Sequence, residues 1–143
     1  MRALGLDLGS RRIGVAVSDS DGRLATPIAT LERTSAKDRA ADHRAIAEIV
    51  AEWGAEIVAV GLPLSLDGTV GPAAKAVLDE VAELAERLAV PVETVDERFT
   101  TVTANHQLRA GGVRARARSG VIDQAAAAVL LQSWLDGRGP ERP

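Results

Sequence analysis

ALGLDLGSRRIGVAVSD, residues 3–19, reads as two apolar strands, Arg2 to Leu8 and Arg12 to Asp19, joined by Gly9 and Ser10. Asp7 interrupts the first of them, flanked by Leu6 and Leu8 and followed at once by Gly9. An ionised carboxylate in a strand built for burial is costly unless it is paired or binds a metal. The reading of this stretch therefore sets two questions: what sheet these strands open, and where the partners of Asp7 come from.

Working outward, SDSDGR carries the hairpin signal Asp21-Gly22, and a third strand follows at about Pro27 to Leu31. TSAKDRAADHRAIAEIVAEWGAE then shows a cap-like Ser35 with Asp38 three residues on. Ile46, Ile49, Val50 and Trp53 follow at helical spacing, and Gly54 closes the helix. EIVAVGLPL is a nearly continuous apolar run, as a strand covered on both faces requires. After the loop SLDGTVG, a helix from about Pro72 to Leu88 places Val77, Val81, Leu84 and Leu88 on one stripe, with Asp79, Glu80, Glu83 and Glu86 mostly off it. VPVETVDE returns as a strand. Two helices finish the chain, about Thr101 to Ala110 and Ser119 to Leu135, separated by a loop rich in Gly and Arg. The order is βββαβαβαα: antiparallel hairpins first and βαβ crossovers afterwards, hence a mixed five-stranded sheet with helices on both faces. This is the element order of the ribonuclease H-like fold. Residues 1–136 read as one domain and 137–143 as a frayed tail.

Composition narrows the chemistry. With 143 residues and 46% hydrophobic content, the chain suits one compact domain. There is no cysteine, which excludes disulfides, thiolate metal sites and thiol nucleophiles. No apolar run reaches the length of a membrane span and no signal-peptide order opens the chain, so a cytoplasmic protein with no membrane partner is expected. The formal charge of −3 is segregated: RAGGVRARAR, from Arg109 to Arg118, holds four Arg and no acid, whereas Asp79 to Glu97 is dominated by carboxylates.

Asp7 in the first strand, Glu97 just past the last strand, and Asp123 in the first turns of the last helix are the candidate site. Strand ends and neighbouring helix termini are where ligands gather in open α/β sheets. The run Ala125 to Ala128 presents almost no bulk, letting the last helix approach the sheet closely enough for Asp123 to reach the first strand. Each acid alone has a local explanation: a turn residue before Gly9, a pair with Arg98, a favourable helix dipole. Together, three converging carboxylates repel one another unless divalent cations neutralise them, and hard oxygen donors select Mg²⁺ or Mn²⁺. A pair of such ions serves phosphodiester hydrolysis. His43 and His106 read as solvated helical histidines, and Asp19, Asp21 and Asp67 as turn residues. No P-loop or GxGxxG is present.

Over nearly its full length the chain resembles the YqgF/RuvX family of bacterial ribonuclease H-like nucleases. Four blocks carry the resemblance: GLDLGSRRIGVAVSD (5–19), VGLPLSLDGTVGPAA (60–74), VDERFTT (95–101) and IDQAAAAVLLQSWLD (122–136). The resemblance implies a metal-dependent nuclease with Asp7, Glu97 and Asp123 as its acidic residues. It also implies 5′-end processing of pre-16S rRNA, with Holliday-junction resolution as the rival activity at the same site. Many relatives carry a Lys-rich run before the final Asp where this chain has RARARSG; arginine contacts phosphate at least as well. Arg114, Arg116 and Arg118, with Arg11, Arg12 and Arg98, are the expected nucleic-acid contacts. A symmetric junction cutter would be a homodimer, whereas rRNA processing is open to a monomer. A non-catalytic RNA-binding module is the alternative from another class. An actin-like phosphate loop in DLGSRRIGVAV would need a second domain that this chain has no room for.

Overall fold

A computed structural model describes residues 1–34, 38–98 and 115–138, the segment 115–121 as backbone alone. Strands β1 (Ala3–Leu8), β2 (Arg12–Ser18), β3 (Ala25–Glu32), β4 (Ile57–Leu62) and β5 (Val92–Asp96) form one sheet in the order β3-β2-β1-β4-β5. The hairpin strands pair antiparallel, while β4 lies parallel to both β1 and β5. The mixed five-stranded sheet expected from the sequence is the one formed. β3 is longer than Pro27 to Leu31, because it follows β2 along its whole length through a bulge at Val15/Ala16.

Strand alternation divides the core into two layers. Leu4 and Leu6 of β1, Ile13, Val15 and Val17 of β2, and Val58 and Val60 of β4 pack with helices α1 (Arg39–Trp53) and α2 (Pro72–Arg87) through Ile46, Val50, Val77 and Leu84. The opposite face carries Ala3, Ala16, Ile57, Ala59 and Val95. It is covered by α3 (Ala115–Gly137) through Ala127, Leu131, Trp134 and Leu135. A face of Ala and Gly meets an Ala-rich helix, so the backbones come close: a Cβ on Gly5 would lie 3.0 Å from the Ala127 carbonyl oxygen and 2.7 Å from Leu131 Cβ.

Local chemistry explains the helix ends. Asp38 is the N-cap of α1, its carboxylate accepting from the Ala40 amide; Ser35 lies outside the described residues. Gly54 ends α1 in the left-handed conformation, φ 65°. Pro72 opens α2 at a position where its missing N–H has no cost. α3 begins at Ala115 rather than Ser119, so Arg116 and Arg118 belong to a helix and not to the preceding loop. The expected helix from Thr101 to Ala110, and His106 within it, lie outside the described residues, as does the tail beyond Arg138. His43 overturns its sequence reading: it is 1% exposed, and so is no solvated histidine. Glu80, placed off the apolar stripe of α2, is likewise buried. No helix among the described residues is long and apolar enough to cross a membrane.

Candidate active site

Asp7 lies near the end of β1, and alternation turns its side chain to the α3 face, as for Ala3 and Gly5. It is 4% exposed. On one side its cross-strand partner is Gly14 of β2. On the other, continuing the register one step past Leu6↔Val60 brings Gly61 of β4 alongside. The residue at the centre is thus bracketed by two positions that have no side chain.

The space over Gly14 is taken by the main chain of Asp123, and that over Gly61 by the side chains of Leu130 and Glu97. A Cβ on Gly14 would fall on the main-chain oxygen of Asp123 and 3.0 Å from the Gln124 amide nitrogen, so α3 rests its backbone directly on β2 at this point. A Cβ on Gly61 would fall against Leu130 Cδ1 and lie 2.8 Å from Glu97 Oε2. Glu97 leaves the end of β5 with its amide donating to the Leu62 carbonyl, which holds it in register with β4. Glu97 and Asp123 are buried as well, 4% and 1% exposed. Asp7, Glu97 and the main chain of Asp123, from three distant parts of the chain, therefore lie at one end of one sheet face.

The donor set is all oxygen and buried, the kind that suits a hard divalent cation. Among the described residues, no three His, Cys, Asp or Glu side chains form a group that could hold a metal ion as they stand.

The candidate arginines are placed differently from one another. Arg11 is exposed on the turn that follows β1, at the same end of the sheet as Asp7. Arg12 Nε is 3.0 Å from Glu32 Oε2 across the β2–β3 pair. Arg98 grips Asp96, Nε at 2.9 Å and Nη2 at 2.7 Å from Oδ2, and donates from Nη1 to the Leu66 carbonyl at 3.4 Å. The bond from Arg98 holds the Asp96 carboxyl below its ordinary range, and Asp96 raises the guanidinium in return. Arg98 thus ties the end of β5 to the loop 63–71, where Ser65 and Thr69 pair and Gly68, φ 88°, turns beneath it. Arg116 and Arg118 stand on the backbone of the first turns of α3 ahead of Asp123; Arg114 lies outside the described residues.

The sequence reading passed over Gly14 and Gly61, although a glycine inside a strand is itself a sign of close backbone approach.

The profile of the RuvX family, described as Holliday junction resolvase, matches residues 1–137. The chain belongs to the RuvX family. Two curated relatives bear the name "Putative pre-16S rRNA nuclease". One, from Mycobacterium leprae, is 54% identical over 137 residues, covering 94% of this chain and 72% of that protein. The other, from Mycobacteroides abscessus, is 50% identical over 138 residues, covering 96% and 82%. Among solved structures, Thermus thermophilus RuvC in complex with a Holliday junction substrate is similar with a TM-score of 0.58 at 16% identity, covering 98% of this chain and 96% of that one. A second Thermus thermophilus RuvC structure gives 0.57 at 16% identity, covering 96% of each. At that identity the likeness concerns the fold, and this RuvX chain has the ribonuclease H-like fold. Asp7 thus lies in a RuvX chain on a sheet of the RuvC kind.

Proposed function

We propose that this chain is a metal-dependent nuclease that hydrolyses RNA phosphodiester bonds in 5′-end maturation of pre-16S rRNA. One observation supports the reading: beside the buried Asp7, the space over Gly14 is taken by the main chain of Asp123 and that over Gly61 by Glu97 and Leu130, so three buried acids belong to one end of one sheet face. The names borne by relatives at about half identity support the choice of substrate.

Asp7, Glu97 and Asp123 would hold Mg²⁺ or Mn²⁺. When bound, such ions neutralise the carboxylates, lower the pKa of a water and stabilise the leaving oxygen. The chain's own residues do the rest. Burial excludes bulk solvent from the acids, and Arg11 is free of the sheet to meet a phosphate approaching over the β1–β2 turn. Arg116 and Arg118 extend the basic approach along the start of α3. A cytoplasmic setting belongs to this reading.

The second reading is symmetric incision of four-way DNA junctions, favoured by the family's description and by the RuvC fold. It requires a homodimer with paired sites. The deciding experiment supplies a 5′-extended 16S rRNA precursor and a synthetic four-way junction, each with Mg²⁺ or Mn²⁺, to wild type and Asp7→Asn. RNA cleavage that depends on Asp7 establishes the processing nuclease. Symmetric junction incision alone replaces it with the resolvase, and cleavage retained by Asp7→Asn removes the site assignment.

A further inference from the structure

The acid site is not the only buried charge in the molecule. Arg33, the residue after β3, leaves the sheet at the same end as Asp7, and its side chain is 10% exposed. Its guanidinium forks onto Glu80 of α2, Nη1 to Oε2 and Nη2 to Oε1, both at 2.9 Å, and Nη1 also reaches Asp42 Oδ2 of α1 at 3.3 Å. The other Asp42 oxygen accepts from the Thr34 amide and hydroxyl. Glu80 Oε2 is 2.8 Å from His43 Nε2, and Arg87 Nη1 is 2.7 Å from His43 Nδ1. An arginine can only donate, so Nδ1 accepts and Nε2 carries its proton toward Glu80.

One donor of Arg33 does not serve this cluster. Nε donates to the Gly9 carbonyl at 2.8 Å, while the Arg33 amide donates to the Arg11 carbonyl at 2.9 Å. The turn held in this way begins two residues after Asp7 and carries the exposed Arg11. It is tight: Gly9 N donates to the Arg12 carbonyl at 2.9 Å, and a Cβ on Gly9 would meet that same oxygen at 2.7 Å. A lysine could not replace Arg33, because an ammonium lacks a second donor partway along the stem. It can reach the carboxylates or the Gly9 carbonyl, but not both.

We propose that Arg33 is a positioning residue of the nuclease site: clamped by Glu80 and Asp42, it fixes the Gly9–Arg11 turn, and with it the main chain of Asp7 and the approach of Arg11. The proposal rests on the nuclease reading for its effect on cleavage and on geometry alone for its effect on the turn. Arg33→Lys is compared with wild type and with Leu88→Ala, a core truncation at the C-terminal end of α2. Three quantities are measured: amide hydrogen exchange at Gly9, Mn²⁺ binding by water-proton relaxation, and kcat and KM on the rRNA precursor. In Arg33→Lys, exchange at Gly9 and the Mn²⁺ midpoint each rise about 10-fold and kcat falls about 10- to 100-fold, with a smaller change in KM. Leu88→Ala shifts melting without these changes. If Arg33→Lys does not fold, Arg33→Gln with Glu80→Gln and Asp42→Asn removes both carboxylates that would otherwise be left unmatched along with the Gly9 contact, and carries the same expectation. A folded Arg33 variant with wild-type exchange at Gly9 and a wild-type Mn²⁺ midpoint overturns the proposal, as do equal shifts in Leu88→Ala. If wild type cleaves neither substrate, the nuclease reading fails, while exchange and Mn²⁺ binding still decide the role of Arg33.

Discussion

Asp7 and Glu80 are both carboxylates inside the fold, and what surrounds each decides what it does. Glu80 is a structural anion. Burial pushes its carboxyl up, but the bonds from Arg33 and His43 and the charges of Arg33 and Arg39 outweigh this and hold it below its ordinary value. A carboxyl lowered on folding adds stability that is complete above its unfolded pKa, about 4.3. That stability is lost as the pH falls through the lower folded value. Glu80→Gln should therefore cost about 1–3 kcal/mol at pH 7. The deficit should shrink as melts are repeated at falling pH, and a gap that stays constant down to strong acid would remove Glu80 from the acid transition. Asp7 is different in that its neighbours Gly14 and Gly61 leave room for the main chain of Asp123 and the side chain of Glu97. Asp7→Asn keeps the shape and removes a desolvated charge. Melting should hold or rise, whereas cleavage should fall by more than about 100-fold, since even outer-shell changes cost 10- to 100-fold.

At the scale of elements, the site depends on how closely α3 seats on the sheet. Leu130, Leu131, Ala126 and Ala127 are all within 1% of full burial, and Gln132 pins the helix to the start of β3 by accepting from the Ala25 amide and donating to the Arg23 carbonyl. Gly14→Ala puts a methyl where the Asp123 carbonyl lies, backbone against backbone. No rotamer relieves that contact. The helix must lift, with an overpacking cost of about 1–3 kcal/mol or more and loss of cleavage through displacement of Asp123. Gly54→Ala serves as the contrast. Its Cβ would meet nothing within 4 Å, and only the left-handed backbone, φ 65°, opposes it. It should cost about 1–2 kcal/mol and leave cleavage intact. Equal activity loss in the two variants, measured at equal folded fraction, would mean that α3 seating is not what holds the site.

Over the whole molecule, a protein of formal charge −3 is asked to bind a polyanion. Segregation resolves the conflict. α2 spreads Asp79, Glu83 and Glu86 over the layer away from α3, while Arg11 is exposed at the end of the sheet where Asp7 lies and Arg116 and Arg118 fall in the first turns of α3. Binding should then be salt-sensitive although the net charge is unfavourable. With Asp7→Asn protein, which binds without cutting, affinity for the rRNA precursor should fall linearly on a log–log plot against salt. Adding Arg11→Ala should lower the slope by roughly 0.7 to 1. An unchanged slope would take Arg11 out of phosphate contact. Chelation should abolish cleavage in wild type and Mg²⁺ or Mn²⁺ restore it, with folding unaffected in both states by circular dichroism.

By itself the sequence determined the mixed sheet, the order of the described elements and the close approach of an Ala-rich helix, and it singled out Asp7, Glu97 and Asp123, the acids of the proposed site. Each of these is written in local periodicity or in motif blocks that survive as linear text. It carried a fainter record of the buried cluster: His43, Ile46 and Val50 recur at one helical spacing, as do Val77, Glu80 and Leu84. Polarity had argued against reading His43 and Glu80 as part of those stripes. Only the tertiary structure decided that they are interior, because burial of a polar group depends on partners such as Arg33 and Arg87 that sequence distance hides. Only it, too, decided that Gly14 is where the main chain of Asp123 meets the sheet and Gly61 where Glu97 and Leu130 do. An absent side chain has no chemistry until a neighbour from elsewhere in the chain occupies its space.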